Sequence, residues 1–355
     1  MKIAPIIHAI QKVNAQKNDI NYRLIHTGQH YDANMSKNFF DQLSIPNPDI
    51  NLNAGSGTQA EQTAAIMIGY EKVLLKERSD LCLVVGDVTS TMACAIVAKK
   101  LCVPVAHVEA GIRSGDWTMP EEINRVVTDS ITNYFFTTSA IANDNLRKSG
   151  FDDENIFFVG NTMIDTLLKN RPRFIKPGFW DRLNLKDKEY ILITLHRPAN
   201  VDDESNLMNL INEIIAHSQD APLIFPAHPR TAKILNRTAF SHQKLFITEP
   251  LGYFEFNYLV ERAKAVITDS GGITEETTVM NIPCMTLRDN TERPETITIG
   301  TNELIGTNPK SIKPALEKLF AGKWKKGSIP EKWDGKAADR IIDIIINKIN
   351  NNQIS

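Results

Sequence analysis

The sequence predicts an α/β protein of two doubly wound, Rossmann-like domains with an interdomain cleft, and three observations lead there. Its 355 residues exceed the size at which one hydrophobic core keeps growing. Short β-rich runs alternate with longer segments of helical period, the pattern of a parallel sheet flanked by helices. The alternation breaks at RPRFIKPGFWDRLNLKDK, which carries two prolines, a glycine and little periodicity, and then resumes. Residues 1–168 are therefore expected to form the first domain, 169–188 a linker and 189–335 the second domain.

Taken in order, the first half offers the strands YRLIHT (22–27), DLCLVVGD (80–87), VPVAHVE (103–109), YFFTT (134–138) and NIFFVG (155–160). The chain itself opens on a helix, because Ile3, Ile6, Ile7 and Ile10 fall at helical spacing. A doubly wound domain ordinarily opens on a strand whose exit loop feeds that helix, so an opening strand is missing. Thr58 and Glu61 stand at capping-box spacing ahead of a long periodic stretch. The second half supplies YILITLH (190–196), PLIFPAH (222–228), KLFIT (244–248), AVITDSGG (265–272) and PCMTLRD (283–289). Last comes AADRIIDIIINKINN, with apolar residues at 341, 342, 344, 345, 346 and 349, so a helix over 336–350 is expected to pack back on the first domain.

Composition excludes several classes. With 42% apolar and 23% charged residues and no run near the roughly 18 apolar residues a membrane helix needs, a soluble protein with no membrane partner is expected. A net charge of −2 with interspersed signs gives no handle for nucleic acid. The N-terminal stretch lacks the cleavage pattern of a secretory signal, which points to the cytoplasm. Cys82, Cys94, Cys102 and Cys284 form no C-x-x-C pair, and His26, His30, His107, His217 and His242 show no ligand spacing, so no metal is expected. Neither G-x-G-x-x-G after a strand nor a P-loop occurs, and no cofactor is expected.

Ligands of open α/β sheets bind beyond the carboxyl ends of the strands. Asp87, His107 with Glu109, His196 with Arg197, His228 with Arg230, and Asp269 with Ser270 all follow strand runs directly. Asp87, Glu109 and Glu121 are the informative set: crowded carboxylates raise one another's pKa, as a general acid or base near neutrality requires. Structural readings account for the same residues, with Asp87 capping the helix at Thr89, Glu121 sitting in the first turn after Pro120, and His196 in the core. Asp116 and Glu122 read as surface charges, and Arg113 and Arg125 as groups that orient the carboxylates. DSGGITEE (269–276) suits a diphosphate, since glycines admit close approach and the first helical turn offers N–H groups and the positive dipole end. A plain N-cap by Asp269 or Ser270 explains it equally well. Arg288 and Arg293 of RDNTERPE can each grip a carboxylate or phosphate at two points.

Together HTGQHYD (26–32), GDVTST (86–91), HVEAGIRS (107–114), PEEINR (120–125), GNTMID (160–165), LHRPANVDD (195–203), TDSGGITEE (268–276) and RDNTERPE (288–295) resemble the non-hydrolysing UDP-N-acetylglucosamine 2-epimerase family. The resemblance runs in order across nearly the whole chain. It implies a GT-B-like fold and interconversion of UDP-N-acetylglucosamine and UDP-N-acetylmannosamine, in which UDP leaves C1 as the C2 proton is removed and re-adds to a glycal with C2 inverted. The family's catalytic groups fall on Asp87, Glu109, Glu121 and His196. Its diphosphate and uridine contacts fall on Ser270, Gly271, Gly272, Glu276 and Arg293, with Phe256 beside the uracil; Lys2 matches a lysine that opens the first helix, and Arg113 joins the substrate side. The expected partners are a UDP-sugar and a second copy of the chain. Two alternatives stay open: a sister epimerase acting on UDP-2,3-diacetamido-glucuronic acid, and a GT-B-like nucleotide-sugar-binding protein with little or no turnover.

Two departures qualify the resemblance. Family members begin with a strand and a Gly-Thr-Arg-Pro-Glu-like loop, so this chain is expected to be a shortened reading of a longer protein or poorly active. Some bacterial members bind an activating second UDP-sugar partly through a glutamine where this chain has Asp32, so the resemblance does not by itself imply activation here.

Overall fold

Aliphatic runs bounded by turn residues become parallel strands here, and amphipathic runs become the helices that cover them. The computed structural model describes residues 1–16, 20–28, 40–227, 229–237 and 240–351. Gln29, His30, Asp32 and His228, together with the side chain of Arg230, lie outside the described residues. The chain divides into two compact units, Met1–Thr166 with Glu331–Ser355, and Leu167–Pro330.

The first unit runs α1 (Ala4–Asn14), β1 (Ile25–His26), β2 (Ile50–Asn51), α2 (Gln59–Lys76), β3 (Cys82–Val85), α3 (Thr89–Lys100), β4 (Val105–Val108), α4 (Pro120–Ile131), β5 (Tyr134–Thr137), α5 (Ala140–Lys148), β6 (Ile156–Phe158) and most of α6 (Thr162–Asn170). Strands β3-β4-β5-β6 form one parallel sheet in that order, while β1 and β2 pair in a separate two-stranded ladder. Thr58 and Glu61 close a complete capping box at the start of α2. Ile66, Tyr70 and Leu74 of α2 and Val97 of α3 cover Cys82, Val84 and Val105 on one face of the sheet.

The second unit follows with β7 (Ile191–Thr194), α7 (Pro198–Val201), α8 (Glu204–His217), β8 (Leu223–Pro226), α9 (Pro229–Arg237), β9 (Leu245–Thr248), α10 (Tyr253–Arg262), β10 (Ala265–Thr268), α11 (Gly271–Met280), β11 (Cys284–Thr286), α12 (Pro294–Thr298), β12 (Asn302–Leu304) and α13 (Ile312–Phe320). Its six parallel strands lie in the order β12-β11-β10-β7-β8-β9, so the chain winds outward in both directions from the β7–β10 boundary. A crevice must open at that boundary, because the loops leaving β7 and β10 turn to opposite faces. Within residues 169–188, expected as a linker, aromatic side chains pack on this unit. Phe179 lies 5.2 Å from the Phe246 ring, and Trp180 meets Tyr190 and Tyr258 edge-on at 5.6 and 5.3 Å. Aromatic burial of this kind outweighs the prolines that break its secondary structure.

The chain then returns to the first unit as α14 (Ala337–Asn350). Ile341, Ile342 and Ile345 join Ile6 and Ile10 of α1 over Ala106, Val108 and Phe136. The N–H groups of Ala337 and Ala338 donate to the two carboxylate oxygens of Asp165 at 3.1 and 2.7 Å, and Trp333 Nε1–H donates to the Thr138 carbonyl.

Candidate functional site

In the first unit, Asp87 and Glu109 leave adjacent parallel strands at the same sheet edge. Glu109 adopts φ +71°, a left-handed conformation that costs a non-glycine residue on the order of 1–3 kcal/mol and persists only where surroundings over-determine it. Those surroundings are visible: the N–H groups of Glu109 and Ala110 both donate to the Phe136 carbonyl, at 2.9 and 3.1 Å. The buried side chain that results places Oε2 2.7 Å from Lys2 Nζ.

Asp87 has its own cation. Arg125 donates to Asp87 Oδ2 from Nε at 3.0 Å and from Nη2 at 2.6 Å, and Asn124 Nδ2 donates to the Asp87 carbonyl. Val88, not Asp87, stands at the N-cap of α3, and no side chain caps that helix. Asp87 and Glu109, expected as a crowded pair of carboxylates, thus each meet a positive partner. Glu121, in the first turn of α4, is only partly buried. Among the described residues no hydrogen bond or ion pair holds its carboxylate.

Glu122 is misread by sequence as a surface charge; it is 1% exposed. Its carboxylate accepts the N–H groups of Ser114 and Gly115 at 2.9 and 3.0 Å, the Ser114 hydroxyl, and Arg125 Nη1 at 2.7 Å. Burial works against its charge, but these donors outweigh it and hold the carboxyl below the ordinary range. Glu122 thus folds the 113–115 turn back on α4 and anchors the arginine that holds Asp87. Arg113 donates to Asp129 Oδ2 at 2.6 Å, and Asp116 Oδ1 accepts the Thr118 N–H and hydroxyl.

In the second unit the β7–β10 boundary is tied by Asp269. The buried carboxylate accepts the N–H groups of His196 and Arg197 and the Asn200 amide, and His196 Nδ1 lies 2.8 Å from Oδ1. Burial alone would favour the neutral acid; the contacts from His196, Arg197 and Asn200 prevail and keep it below the usual range. With 48% of its side chain exposed, His196 is no core histidine, and its Nε2 edge is open to a ligand. Asp269 is fully engaged with the β7 loop, and Ser270, at the N-cap of α11, makes no side-chain cap bond. The capping reading of DSGG therefore lapses. At Gly271 a Cβ would meet the Glu292 carboxylate, which would have to shift to admit it.

Arg288 and Arg293 are buried, not loop-exposed: Arg293 Nε lies 2.6 Å from Glu275 Oε1, and Arg288 Nη2 lies 2.6 Å from Glu292 Oε2. Glu276 accepts the Tyr253 hydroxyl at 3.0 Å and the Asn257 amide at 3.5 Å, both from α10, which also carries Phe256. Burial and the neighbouring Glu275 push the Glu276 carboxyl up to about 7 against those two hydrogen bonds. A raised folded-state value means the unfolded chain loses this proton first, so its contribution to stability falls as pH rises from about 4.5 to about 7 and is level outside that window. Glu276→Gln, which keeps an acceptor for Tyr253, is expected to gain on the wild type across that window by on the order of 3 kcal/mol. Urea unfolding between pH 4 and 8 tests this; a stability difference independent of pH would refute it. Among the described residues no group of His, Cys, Asp and Glu is placed to hold a metal, and no helix is long and apolar enough to cross a membrane.

With this geometry in view, the likenesses to known proteins are specific. A sequence model of the family described as UDP-N-acetylglucosamine 2-epimerase matches residues 12–346. The chain is 44% identical to the UDP-N-acetylglucosamine 2-epimerase of Methanocaldococcus jannaschii over 97% of its own length and 95% of that protein's. It is 39% identical to the UDP-2,3-diacetamido-2,3-dideoxy-D-glucuronate 2-epimerase of Pseudomonas aeruginosa, covering 86% of this chain and 88% of that one. The M. jannaschii crystal structure in complex with UDP-GlcNAc and UDP superposes with a TM-score of 0.86, covering 98% of this chain and 96% of that chain. The Neisseria meningitidis UDP-GlcNAc 2-epimerase bound to UDP-GlcNAc, 28% identical, gives 0.87 over 98% and 96%.

Proposed function

Because the chain belongs to the UDP-N-acetylglucosamine 2-epimerase family, and so is an isomerase, we propose that it interconverts UDP-N-acetylglucosamine and UDP-N-acetylmannosamine. The observation that carries this reading is the set of carboxylates at the strand ends and helix start of the first unit, Asp87, Glu109 and Glu121, two of them paired with a cation. Epimerisation at C2 needs what that set offers. One carboxylate takes the C2 proton, the C2–H electron pair becomes the C1=C2 bond of a glycal, and the C1–O bond breaks with its pair leaving on UDP. Return of a proton to the opposite face of C2 and of UDP to C1 completes the inversion with no net change in atoms or charge.

The second unit suits the departing diphosphate. The uncapped first turn of α11, with Ser270, Gly271 and Gly272, supplies N–H groups and the positive dipole end, and His196 presents its exposed ring edge from the adjoining loop. Glu276, held by Tyr253 and Asn257, offers a carboxyl oxygen for ribose hydroxyls, and Phe256 a ring for the uracil. The proposal includes a homodimer, and a cytoplasmic location on the reading of the N-terminal stretch. Sedimentation that finds a monomer at assay concentration would remove the dimer.

Incubation with UDP-N-acetylglucosamine in D2O, followed by proton NMR, tests the reaction. Deuterium at C2 together with a manno product is expected. Binding without exchange would replace the enzyme by a nucleotide-sugar-binding protein, and exchange only with UDP-2,3-diacetamido-glucuronic acid would move the activity to that substrate.

A further inference from the structure

His107 is completely buried on β4, two residues before Glu109, and the reaction as described makes no use of it. Its Nε2 lies 2.8 Å from the Gly86 carbonyl oxygen, and its Nδ1 lies 2.7 Å from Asp129 Oδ1. A carbonyl oxygen only accepts, so Nε2 carries a proton. Asp129 is an ionised acceptor: burial opposes its charge, but His107 and Arg113 outweigh that and hold its carboxyl below the ordinary range. The second oxygen of Asp129 accepts the Gly111 N–H at 3.1 Å and Arg113 Nη1 at 2.6 Å.

The two ends of this chain of contacts are what give it a purpose. Gly86, at φ +77°, is the residue immediately before Asp87; Gly111, also at φ +77°, is two residues after Glu109. One ring thus grips the backbone that delivers one carboxylate and, through Asp129, the backbone that delivers the other. We propose that His107, held between the Gly86 carbonyl and the Asp129 carboxylate, is a positioning residue for C2 epimerisation that fixes the spacing of Asp87 and Glu109. The inference rests on the reading of those two carboxylates as proton-transfer groups.

Two isosteres separate the ends. In His107→Gln the amide nitrogen takes the place of Nε2 and keeps the bond to Gly86; in His107→Asn it takes the place of Nδ1, keeps Asp129 and releases Gly86. A misplacement of about 1 Å at a reacting group costs on the order of 100-fold in rate. His107→Asn is accordingly expected to lose roughly 10- to 100-fold in kcat for C2 exchange with KM for UDP-N-acetylglucosamine changed less than about threefold, and His107→Gln to recover most of that loss. A purely structural histidine would lower the amount of folded enzyme without splitting kcat from KM. Full activity in His107→Asn, or equal loss in both variants with KM altered, would overturn the proposal. Should both variants fail to fold, nitrogen-15 NMR of histidine-labelled wild type decides: a protonated Nε2 is expected for the buried histidine, and a bare Nε2, which could not bond the Gly86 carbonyl, refutes the assignment. Absence of any C2 exchange in the wild type would instead defeat the epimerase reading, which the ring spectrum does not touch.

Discussion

Glu109→Gln is expected to slow exchange of the C2 proton of UDP-N-acetylglucosamine by about 100- to 10,000-fold, the range spanned by general acid–base catalysis, while UDP affinity stays within about twofold. The amide matches the carboxylate in shape but neither takes nor returns a proton. Lys2 loses its partner at little cost in stability, because 32% of its side chain is exposed and water can solvate the ammonium. The groups assigned to UDP lie in the other unit, so binding and exchange should part company. Asp87→Asn is expected to behave alike, with some added loss of order because Arg125 then faces a neutral amide. Wild-type exchange in both variants would sink the assignment of proton transfer to these residues; loss of UDP binding alongside exchange would show that they serve the nucleotide instead.

Arg125→Met should be the most damaging single change to the folded first unit, lowering stability by about 3–5 kcal/mol and abolishing exchange. Arg125 is 2% exposed and joins two carboxylates, Asp87 and the equally buried Glu122. Without it Glu122 keeps its donors from Ser114 and Gly115 but no compensating charge, and Asp87 loses both bonds that aim it. The two consequences can be pulled apart by adding Glu122→Gln. Removing the second buried charge should restore part of the urea midpoint, whereas exchange should stay lost because Asp87 is still unaimed. Unaltered stability and rate in Arg125→Met would show that the bridge is incidental.

How much of this could be read from the chain depended on whether the determining contact was local. The strands β3 to β6 and β7 to β11 were legible because their apolar runs are bounded by turn residues, and the capping box because Thr58 and Glu61 lie three apart. β2 and β12 were not: Ile50–Asn51 and Asn302–Leu304 are two and three residues long and mostly polar, and they pair only because a neighbouring strand supplies the ladder. Strand ends likewise put Asp87, Glu109, His196 and Asp269 in view. What stayed hidden was the partner of each. That Glu122 turns inward to meet Ser114 and Gly115, or that His107 meets Asp129 from 22 residues away, depends on how α4 lies against β4, which no periodicity reports. The left-handed backbone at Glu109 was hidden for the same reason, since it is imposed by Phe136 on the next strand.

The return of α14 to the first unit sets an order of events during synthesis. Ile341, Ile342 and Ile345 complete an apolar layer begun by Ile6 and Ile10, so the residues made first wait for residues made more than 300 positions later. All of Leu167–Pro330 emerges in between and can close its own six-stranded sheet beforehand. The unit that carries the carboxylates proposed for proton transfer is then the last to be sealed, and a nascent chain halted before Ala337 would present an uncovered aliphatic face to every other chain in its neighbourhood.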